Sequence, residues 1–253
     1  MGHQETYRQN EAYAEFLAGW DESFYGKYAD TLRPDKPGGL VLDVGCGVGQ
    51  VVGRLQNAGF EAYGVDVSEP NIERAKKVCP RCQFYDGKTL PFPDQHFDRV
   101  GALNVLEHVE EPESFLRELV RVTKIGGRVV VSSPNFLRAI GFRDYHPKMR
   151  GLGNKWRNWN RLREKRRQMR NDPAEARFDR MIPIVKQPFT PDDDAIIATN
   201  GLEIKFFLEQ FGCAVERVDC TDRYVSWLID FALNLTPARY LMFSAFVVGR
   251  RAK

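Results

Sequence analysis

Three aspartates and one glycine-rich turn are the residues of this sequence that are best placed to do chemistry. Residues 41–49 read VLDVGCGVG, with glycines at every second position after a strand-like run. Because such a turn carries few Cβ atoms, its backbone can approach a ligand closely. Asp43 precedes the turn, Asp66 closes the next strand-like run and Asp86 closes the third. Carboxylates accept hydrogen bonds from amines and hydroxyls, so this set predicts a polar ligand that is cationic in part.

The glycine spacing does not fit a dinucleotide-binding turn, whose fingerprint reads G-x-G-x-x-G. Counted from Gly45, the last glycine of that fingerprint would be Gln50, and counted from Gly47 it would be Val52. The acidic Asp43 at the strand end also suits a cationic ligand better than a pyrophosphate. The sequence therefore disfavours a nicotinamide-dependent dehydrogenase.

The elements that must position these residues alternate between strand-like and helix-like patterns from Leu40 to Val131. This alternation predicts an α/β fold with a parallel sheet and helices on both faces. The predicted strands are 39–44, 62–67, 82–85, 97–103 and 128–132. The three aspartates end successive strands, so they share the carboxyl edge of the sheet, where open α/β sheets bind ligands. The alternative is that each aspartate caps the helix that follows it.

Two helices carry clear end signals in the sequence. Ser68 is predicted to cap a helix that continues to Val78, with Pro70 in its first turn. Pro112 opens a second helix with one apolar face, and the glycine pair 126–127 predicts where that helix ends.

The pattern changes after Pro134, because residues 134–188 are polar, aromatic and basic and show no strand alternation. A helix over 202–211 and strands over 214–218 and 243–248 are predicted beyond it. We therefore predict one domain over 1–253, with an aromatic N-terminal cap over 1–38 and a basic insertion over 134–188 that acts as a lid.

Five short motifs occur in a fixed order over residues 40–133: LDVGCGVG at 42–49, GVDVS at 64–68, LPFPD at 90–94 with FD at 97–98, LEHV at 106–109, and LREL at 116–119 running into GG at 126–127. With these motifs the region resembles the class I S-adenosylmethionine-dependent methyltransferases, in particular the broad small-molecule group (methyltransferase type 11) that includes ubiquinone and sugar methyltransferases. Ile125 departs from the family, which usually has proline before the two glycines. The resemblance implies a Rossmann-like, seven-stranded, mostly parallel sheet with an antiparallel last strand.

The resemblance implies that the cofactor is S-adenosylmethionine and that the glycine turn cradles its methionine part. Asp43 would orient the ammonium group of the cofactor. The residues of the turn with this implied role are Gly45, Cys46, Gly47 and Gly49.

The same resemblance assigns the nucleoside part of the cofactor to the next two strand ends. Asp66 would hold the ribose hydroxyls, with Val67 packed on the adenine. Asp86 would accept a hydrogen bond from the adenine amino group, and the backbone of Gly87 would lie beside the ring.

Two histidines are candidate general bases, since a hydroxyl acceptor benefits from a base whose pKa is near neutral. His108 follows the fourth strand at the ligand edge, where the resemblance also places the carbonyls of Asn104 and Leu106 near the methionine amine and the sulfonium. The alternative for His108 is a role in orienting its own loop. His146 begins the insertion, with Asp144 nearby, and its alternative is a place in a surface turn.

Residues 148–170 hold ten Lys or Arg and one acidic residue, a local net charge of +9. Trp156, Trp159 and Leu162 are spaced three apart, on one side of a helix. A basic helix with a tryptophan stripe can contact an anionic membrane surface or a lipid-linked substrate. It can also bind RNA, or it can be a solvated helix whose tryptophans pack on the domain.

Composition limits the class of protein and the cellular compartment that fit this chain. The chain of 253 residues has a net charge of only +3, which excludes an overall polyanion binder and an acidic disordered protein. Five scattered cysteines, together with the absence of an apolar run of membrane-spanning length, predict a cytoplasmic protein. The Cys79 and Cys82 pair lacks a second pair at ligand spacing, and the acids 192–194 lack companions, so no metal is predicted.

These features favour S-adenosylmethionine-dependent methyl transfer to a small-molecule acceptor, such as a sugar, a glycan precursor or a lipid-linked substrate. The transfer would be an in-line displacement, in which the protein mainly positions the nucleophile and excludes water. An RNA methyltransferase that uses the basic insertion is the alternative enzyme. A cofactor-binding module without catalytic activity is the alternative from another class.

Overall fold

A seven-stranded sheet in the order β3-β2-β1-β4-β5-β7-β6 organises the computed structural model, which describes residues 3–141, 144–184 and 192–253. Among the described strands, β7 runs in the direction opposite to the other six, so it pairs antiparallel with both β5 and β6. This confirms the predicted mostly parallel sheet with an antiparallel last strand. The strands are β1 (Leu40–Val44), β2 (Glu61–Asp66), β3 (Cys82–Phe84), β4 (Phe97–Leu103), β5 (Thr123–Pro134), β6 (Cys213–Asp219) and β7 (Ser244–Arg251).

Helices cover both faces of the sheet among the described residues. One face packs on α2, α3 and α4, and the other packs on α5 and α7. The helices are α1 (Glu11–Ala18), α2 (Gly26–Thr31), α3 (Gln50–Asn57), α4 (Glu69–Val78), α5 (Pro112–Val122), α6 (Leu152–Asn171), α7 (Gly201–Gln210) and α8 (Trp227–Asn234).

The local signals explain most of these boundaries. Ser68 caps α4 as predicted, since its hydroxyl accepts a hydrogen bond from the Asn71 amide at 3.3 Å. Asn200 caps α7 by accepting from the amides of Leu202 and Glu203. None of the helices within the described ranges is long and apolar enough to cross a membrane.

The predicted end of α5 at the glycine pair is wrong. The helix stops at Val122, and β5 already begins at Thr123, which pairs with Phe97 of β4. Two β-branched residues in succession favour the extended backbone here. Gly126, with φ of +80°, lies inside β5, where the register against β4 shifts. The glycines therefore shape an irregular stretch of the strand rather than a helix end.

The insertion has a small apolar core of its own. Phe136, Leu137, Met149, Leu162 and Met181 pack together, with two alanines from the segment before α7. The bounds of the cap at 1–38 and of the insertion at 134–188, and the lid role, stay predictions. Part of each lies outside the described residues.

Candidate active site

A pocket opens where the carboxyl ends of β1, β2 and β4 meet. The strand order reverses between β1 and β4, and such a switch point is where open α/β sheets bind ligands. The pocket holds about 1300 Å³ of space, part of it open to solvent. Eight residues that the sequence analysis singled out line it: Asp43, Gly45, Cys46, Gly47, Asp66, Val67, Asn104 and His108.

The glycine turn is held against β2 by its own backbone. The amides of Gly45 and Cys46 donate to the Val65 carbonyl at 2.7 and 3.0 Å. Gly47 has φ of +53°, and a Cβ added there would lie 3.3 Å from Leu17 Cδ1 of α1. The turn thus needs glycine both for its backbone conformation and for the space between turn and cap.

Four other predicted cofactor residues have structural roles in the described chain. A Cβ on Gly49 would lie 3.1 Å from Ala75 Cα, so Gly49 lets α3 and α4 approach. Leu106 is fully buried in the main core. Asp86 is exposed, its Oδ1 accepts from the amides of Lys88 and Thr89, and Gly87 lies in that turn. Their contacts with the cofactor stay predictions.

Asp43 is a buried carboxylate in the pocket wall. The Tyr28 hydroxyl donates to its Oδ1 at 2.7 Å, and no Lys or Arg in the described ranges forms an ion pair with it. Burial raises the pKa of Asp43 to about 7. A carboxylate that is buried without a cationic partner suits the ammonium group of S-adenosylmethionine.

Replacing Asp43 by Asn is expected to stabilise the cofactor-free protein more at pH 8 than at pH 5. In the unfolded chain the carboxyl ionises near pH 4, whereas in the folded chain it keeps its proton to about pH 7. Stability therefore falls as pH rises between these values, by on the order of 4 kcal/mol in all and by about 1 kcal/mol up to pH 5, and Asn removes that loss. Thermal unfolding at both pH values measures the effect. Asp86→Asn, in an exposed turn, is the control and should change neither midpoint.

Asp66 is tied to the turn that it faces. Its carboxylate accepts from the amides of Gly47 at 2.9 Å and Ser68 at 2.8 Å and from Asn71 Nδ2 at 3.2 Å. A carboxylate has about four lone-pair sites. Two ribose hydroxyls would therefore replace at least one of these donors. The residue type and position fit the ribose, with that exchange.

His108 lies among hydroxyl and carboxylate groups at the pocket wall. Its Nδ1 is 3.2 Å from the Tyr7 hydroxyl and 3.8 Å from Asp194 Oδ1. The Tyr7 hydroxyl also donates to Asp194 Oδ2. His108 Nε2 is 4.0 Å from Glu107 Oε1. This arrangement can hold the imidazole in one orientation.

His146, the second predicted base, is buried in the core of the insertion. Its ring centroid lies 5.1 Å from that of Phe136, and its Nδ1 accepts from the Lys148 amide at 3.2 Å. The structure does not bring it to the pocket wall with His108.

The predicted aromatic cap forms one wall of the pocket, a role that was not assigned to it from the sequence. Aromatic side chains of the cap form a chain of ring contacts from Tyr13 through Phe16 and Trp20 to Phe24, with centroids 5.0–6.4 Å apart. The high density of Tyr, Phe and Trp in this segment is the sequence feature that indicates an aromatic surface here. Asp192 and Asp194 also line the pocket, although from the sequence they were considered only as metal ligands.

The basic run forms α6, but its cations are not equivalent. Lys165 is 2% exposed and pairs with Glu203 and Asp179, each at 2.8 Å. Arg161 also pairs with Asp179 at 2.7 Å. Arg163, Arg166 and Arg170 are exposed and border a largely apolar groove with Trp159, one side of α7 and the segment before β7. The solvated basic face is therefore smaller than the sequence suggests.

Comparison with known proteins supports the resemblance to methyltransferases independently of the site geometry. Residues 42–131 match the family model of a methyltransferase domain. A 2-methyl-6-phytyl-1,4-hydroquinone methyltransferase from Synechocystis sp. is 37% identical over 112 residues, which are 42% of this chain and 34% of the relative. A demethylmenaquinone methyltransferase from Renibacterium salmoninarum is 38% identical over 105 residues, 40% of this chain and 44% of the relative. A probable tRNA methyltransferase 9B from Mus musculus is 33% identical over 103 residues, 40% of this chain and 23% of the relative.

The match thus spans less than half the length of these relatives. Among solved structures, an S-adenosylmethionine-dependent methyltransferase from Mesorhizobium loti has a TM-score of 0.59 at 17% identity, covering 93% of this chain and 100% of that chain. At this identity the similarity establishes the fold.

A domain match that runs from β1 into β5 shows that residues 42–131 are similar to a methyltransferase domain, and the sheet shares its fold with a solved S-adenosylmethionine-dependent methyltransferase. The domain match and the methyltransferase relatives indicate S-adenosylmethionine as the cofactor of this region.

Proposed function

We propose that the chain transfers a methyl group from S-adenosylmethionine to a small-molecule acceptor held beneath the N-terminal cap. The observation that carries the proposal is the aromatic wall of the pocket, which lines the site together with the glycine turn. A concave pocket that combines aromatic side chains with a set of placed polar groups is typical of small-molecule sites. Two relatives are named for small-molecule acceptors of the quinone type.

The residues of the chain then have separable roles. When bound, S-adenosylmethionine supplies an electrophilic methyl group. Asp43 would balance the ammonium charge of the cofactor, and Asp66 would fix its ribose. The aromatic wall would orient the acceptor for in-line attack. His108 would take the proton of the acceptor, with the Tyr7 hydroxyl and Asp194 holding its Nδ1 side.

Replacing Asp66 by Ala is expected to weaken binding of S-adenosylmethionine and of its product S-adenosylhomocysteine. The loss of charged hydrogen bonds to ribose should cost about 1.5–3 kcal/mol. Calorimetry with both ligands measures the effect. Asp66→Asn keeps one acceptor oxygen toward the turn and should lose less. Unchanged affinity of the Ala variant would remove Asp66 from the site.

The function itself is tested by release of S-adenosylhomocysteine. The purified protein is given S-adenosylmethionine and either the low-mass fraction of a cell extract or its purified RNA. We expect release with the low-mass fraction, and none with Asp66→Ala. Binding of the cofactor without release in either fraction would favour a module without catalytic activity.

An RNA methyltransferase is the second candidate, and two observations favour it. A relative is named for tRNA, and exposed arginines remain on α6. Release of S-adenosylhomocysteine with RNA alone would establish this candidate in place of the first.

We further infer that the exposed arginines of α6 contact an anionic group, on a lipid-linked acceptor or a membrane surface. Support comes from charge and from the apolar groove that they border. The variant Arg163→Gln/Arg166→Gln/Arg170→Gln should lose sedimentation with vesicles that contain anionic lipid and keep its cofactor affinity. A control removes equal charge from exposed positions elsewhere, at Lys76, Lys77 and Lys88. Equal binding by the two triple variants would contradict the inference.

A further inference from the structure

Three carboxylates surround the imidazole of His108, and two of them, Asp192 and Asp194, line the pocket. Glu107, His108 and Asp192 each present a ligand atom, and these atoms lie within 4.8 Å of one another. Asp194 Oδ1 lies 3.8 Å from His108 Nδ1. Among the residues that the structure describes, no Lys or Arg lies within 4.0 Å of the three carboxylates. The cluster therefore gathers three carboxyl groups beside the pocket without a cation from the described residues, and burial raises the pKa of Glu107 and, to about 7, that of Asp192.

Glu107 gives the cluster an unsatisfied hydrogen-bond acceptor. Its side chain is fully buried, and its Oε2 accepts from the Ser133 hydroxyl at 2.9 Å. Its Oε1, on the side of His108 Nε2, has no hydrogen-bond partner in the described parts of the chain. A buried carboxylate oxygen without a donor is costly, which indicates that a donor arrives with a ligand.

The fold holds this arrangement in place. The amides of Ile196 and Ile197 donate to the Glu107 carbonyl at 2.9 and 3.0 Å, which fixes the segment after Asp194 over the end of β4. The Tyr145 hydroxyl is hydrogen-bonded to Asp192. The carboxylates are thus positioned before any ligand binds, which lowers the entropic cost of binding one.

Aromatic rings of the cap complete the surroundings. Tyr7 packs on Tyr13, with centroids 5.1 Å apart, and edge-on against the His108 ring at 5.8 Å. Both tyrosines line the pocket together with Asp192 and Asp194. Aromatic faces attract cations, and carboxylates supply the opposite charge, so the two together are suited to a compact organic cation.

We propose that this cluster binds the protonated amine of the acceptor, so that the substrate class is a small aliphatic or arylalkyl amine. The proposal rests on the proposed function, because it describes the acceptor side of the same pocket. An ammonium group has three N–H donors, and the carboxylates of Glu107, Asp192 and Asp194 can accept hydrogen bonds from them. The ammonium of the cofactor has a separate carboxylate, Asp43, at the end of β1.

The test uses the full chain, freed of metal with a chelator and saturated with S-adenosylhomocysteine. Calorimetry compares amines with alcohols of the same skeleton: tyramine with 4-(2-hydroxyethyl)phenol, and 1,4-diaminobutane with 1,4-butanediol. At least one amine should bind about ten-fold or more tightly than its matched alcohol. Asp194→Asn and Glu107→Gln should each remove about ten-fold of that preference and leave affinity for S-adenosylhomocysteine unchanged. Glu73→Gln, exposed on α4, is the matched control.

Equal affinity for amine and alcohol, or binding of no amine by the saturated protein, would overturn the proposal. Binding of Mn²⁺ that Glu107→Gln abolishes, with no preference for amines, would overturn it in favour of a metal site. Failure of the proposed function is distinguishable, because the low-mass fraction would then cause no release of S-adenosylhomocysteine, whereas the calorimetry with amines and alcohols measures binding without turnover.

Discussion

Gly47→Val is expected to abolish binding of S-adenosylmethionine while the protein stays folded. Gly47 has φ of +53°, a conformation that costs a residue with a side chain about 1–2 kcal/mol. The new Cβ would lie 3.3 Å from Leu17 Cδ1, and its two methyl groups would occupy the space between turn and cap. We expect affinity to fall by at least about 100-fold, since the turn is where the backbone must approach the ligand. Calorimetry and thermal unfolding measure the two effects separately.

Gly59→Val provides the matched control. Gly59 has φ of +86°, but a Cβ there would have no atom within 4 Å. It carries a comparable backbone strain at a distance from the pocket. If both variants lose the same amount of cofactor affinity, the loss in Gly47→Val comes from general destabilisation. The glycine turn would then not be the cradle of the cofactor.

Lys165→Met is expected to lower the free energy of unfolding by about 3–5 kcal/mol. Lys165 is 2% exposed and Glu203 is 1% exposed, so its removal leaves Glu203 buried without a cation. Burial already raises the pKa of Glu203 to about 7. The penalty should therefore be larger at pH 8, where Glu203 must ionise, than at pH 6, where it can keep a proton. Chemical denaturation at both pH values gives the two free energies.

The double variant Lys165→Met/Glu203→Gln separates this account from a simple packing defect. Gln removes the buried charge and keeps a hydrogen-bond acceptor for Asn200. We expect it to recover much of the loss at pH 8. No recovery would show that the aliphatic chain and the ammonium hydrogen bonds of Lys165, rather than the charge on Glu203, account for its importance.

The fold could be predicted from the sequence because its signals are local. Buried parallel strands appear as continuous apolar runs, and caps such as Ser68 and Asn200 are read within a few residues. The glycine pair 126–127 misled the assignment, since the β-branched residues Val122 and Thr123 end the helix before the glycines are reached.

The site was predictable only where it follows a strand end. Asp43, Asp66 and His108 are placed by the register of the sheet, which the sequence determines. Asp192 and Asp194 reach the same pocket from a distant segment, and no local pattern specifies that approach.

The basic run shows that the sequence also does not specify which charged side chains are buried. Composition counts Lys165 and Arg166 alike, but Lys165 is buried against Glu203 whereas Arg166 is exposed. The partners Asp179 and Glu203 lie 14 and 38 residues away along the chain, so no spacing rule relates them to α6. Burial of a single cation within a charged helix depends on tertiary packing.

Methyl-labelled S-adenosylmethionine, incubated with the protein and a cell extract that is then separated into low-mass, lipid and RNA fractions, tests the central claim most directly. We predict that label enters a compound of the low-mass or lipid fraction, that mass spectrometry shows the added methyl group, and that Asp66→Ala abolishes it. Label in RNA alone, or cofactor binding with no labelled product in any fraction, would contradict the claim that the aromatic pocket serves a small-molecule acceptor.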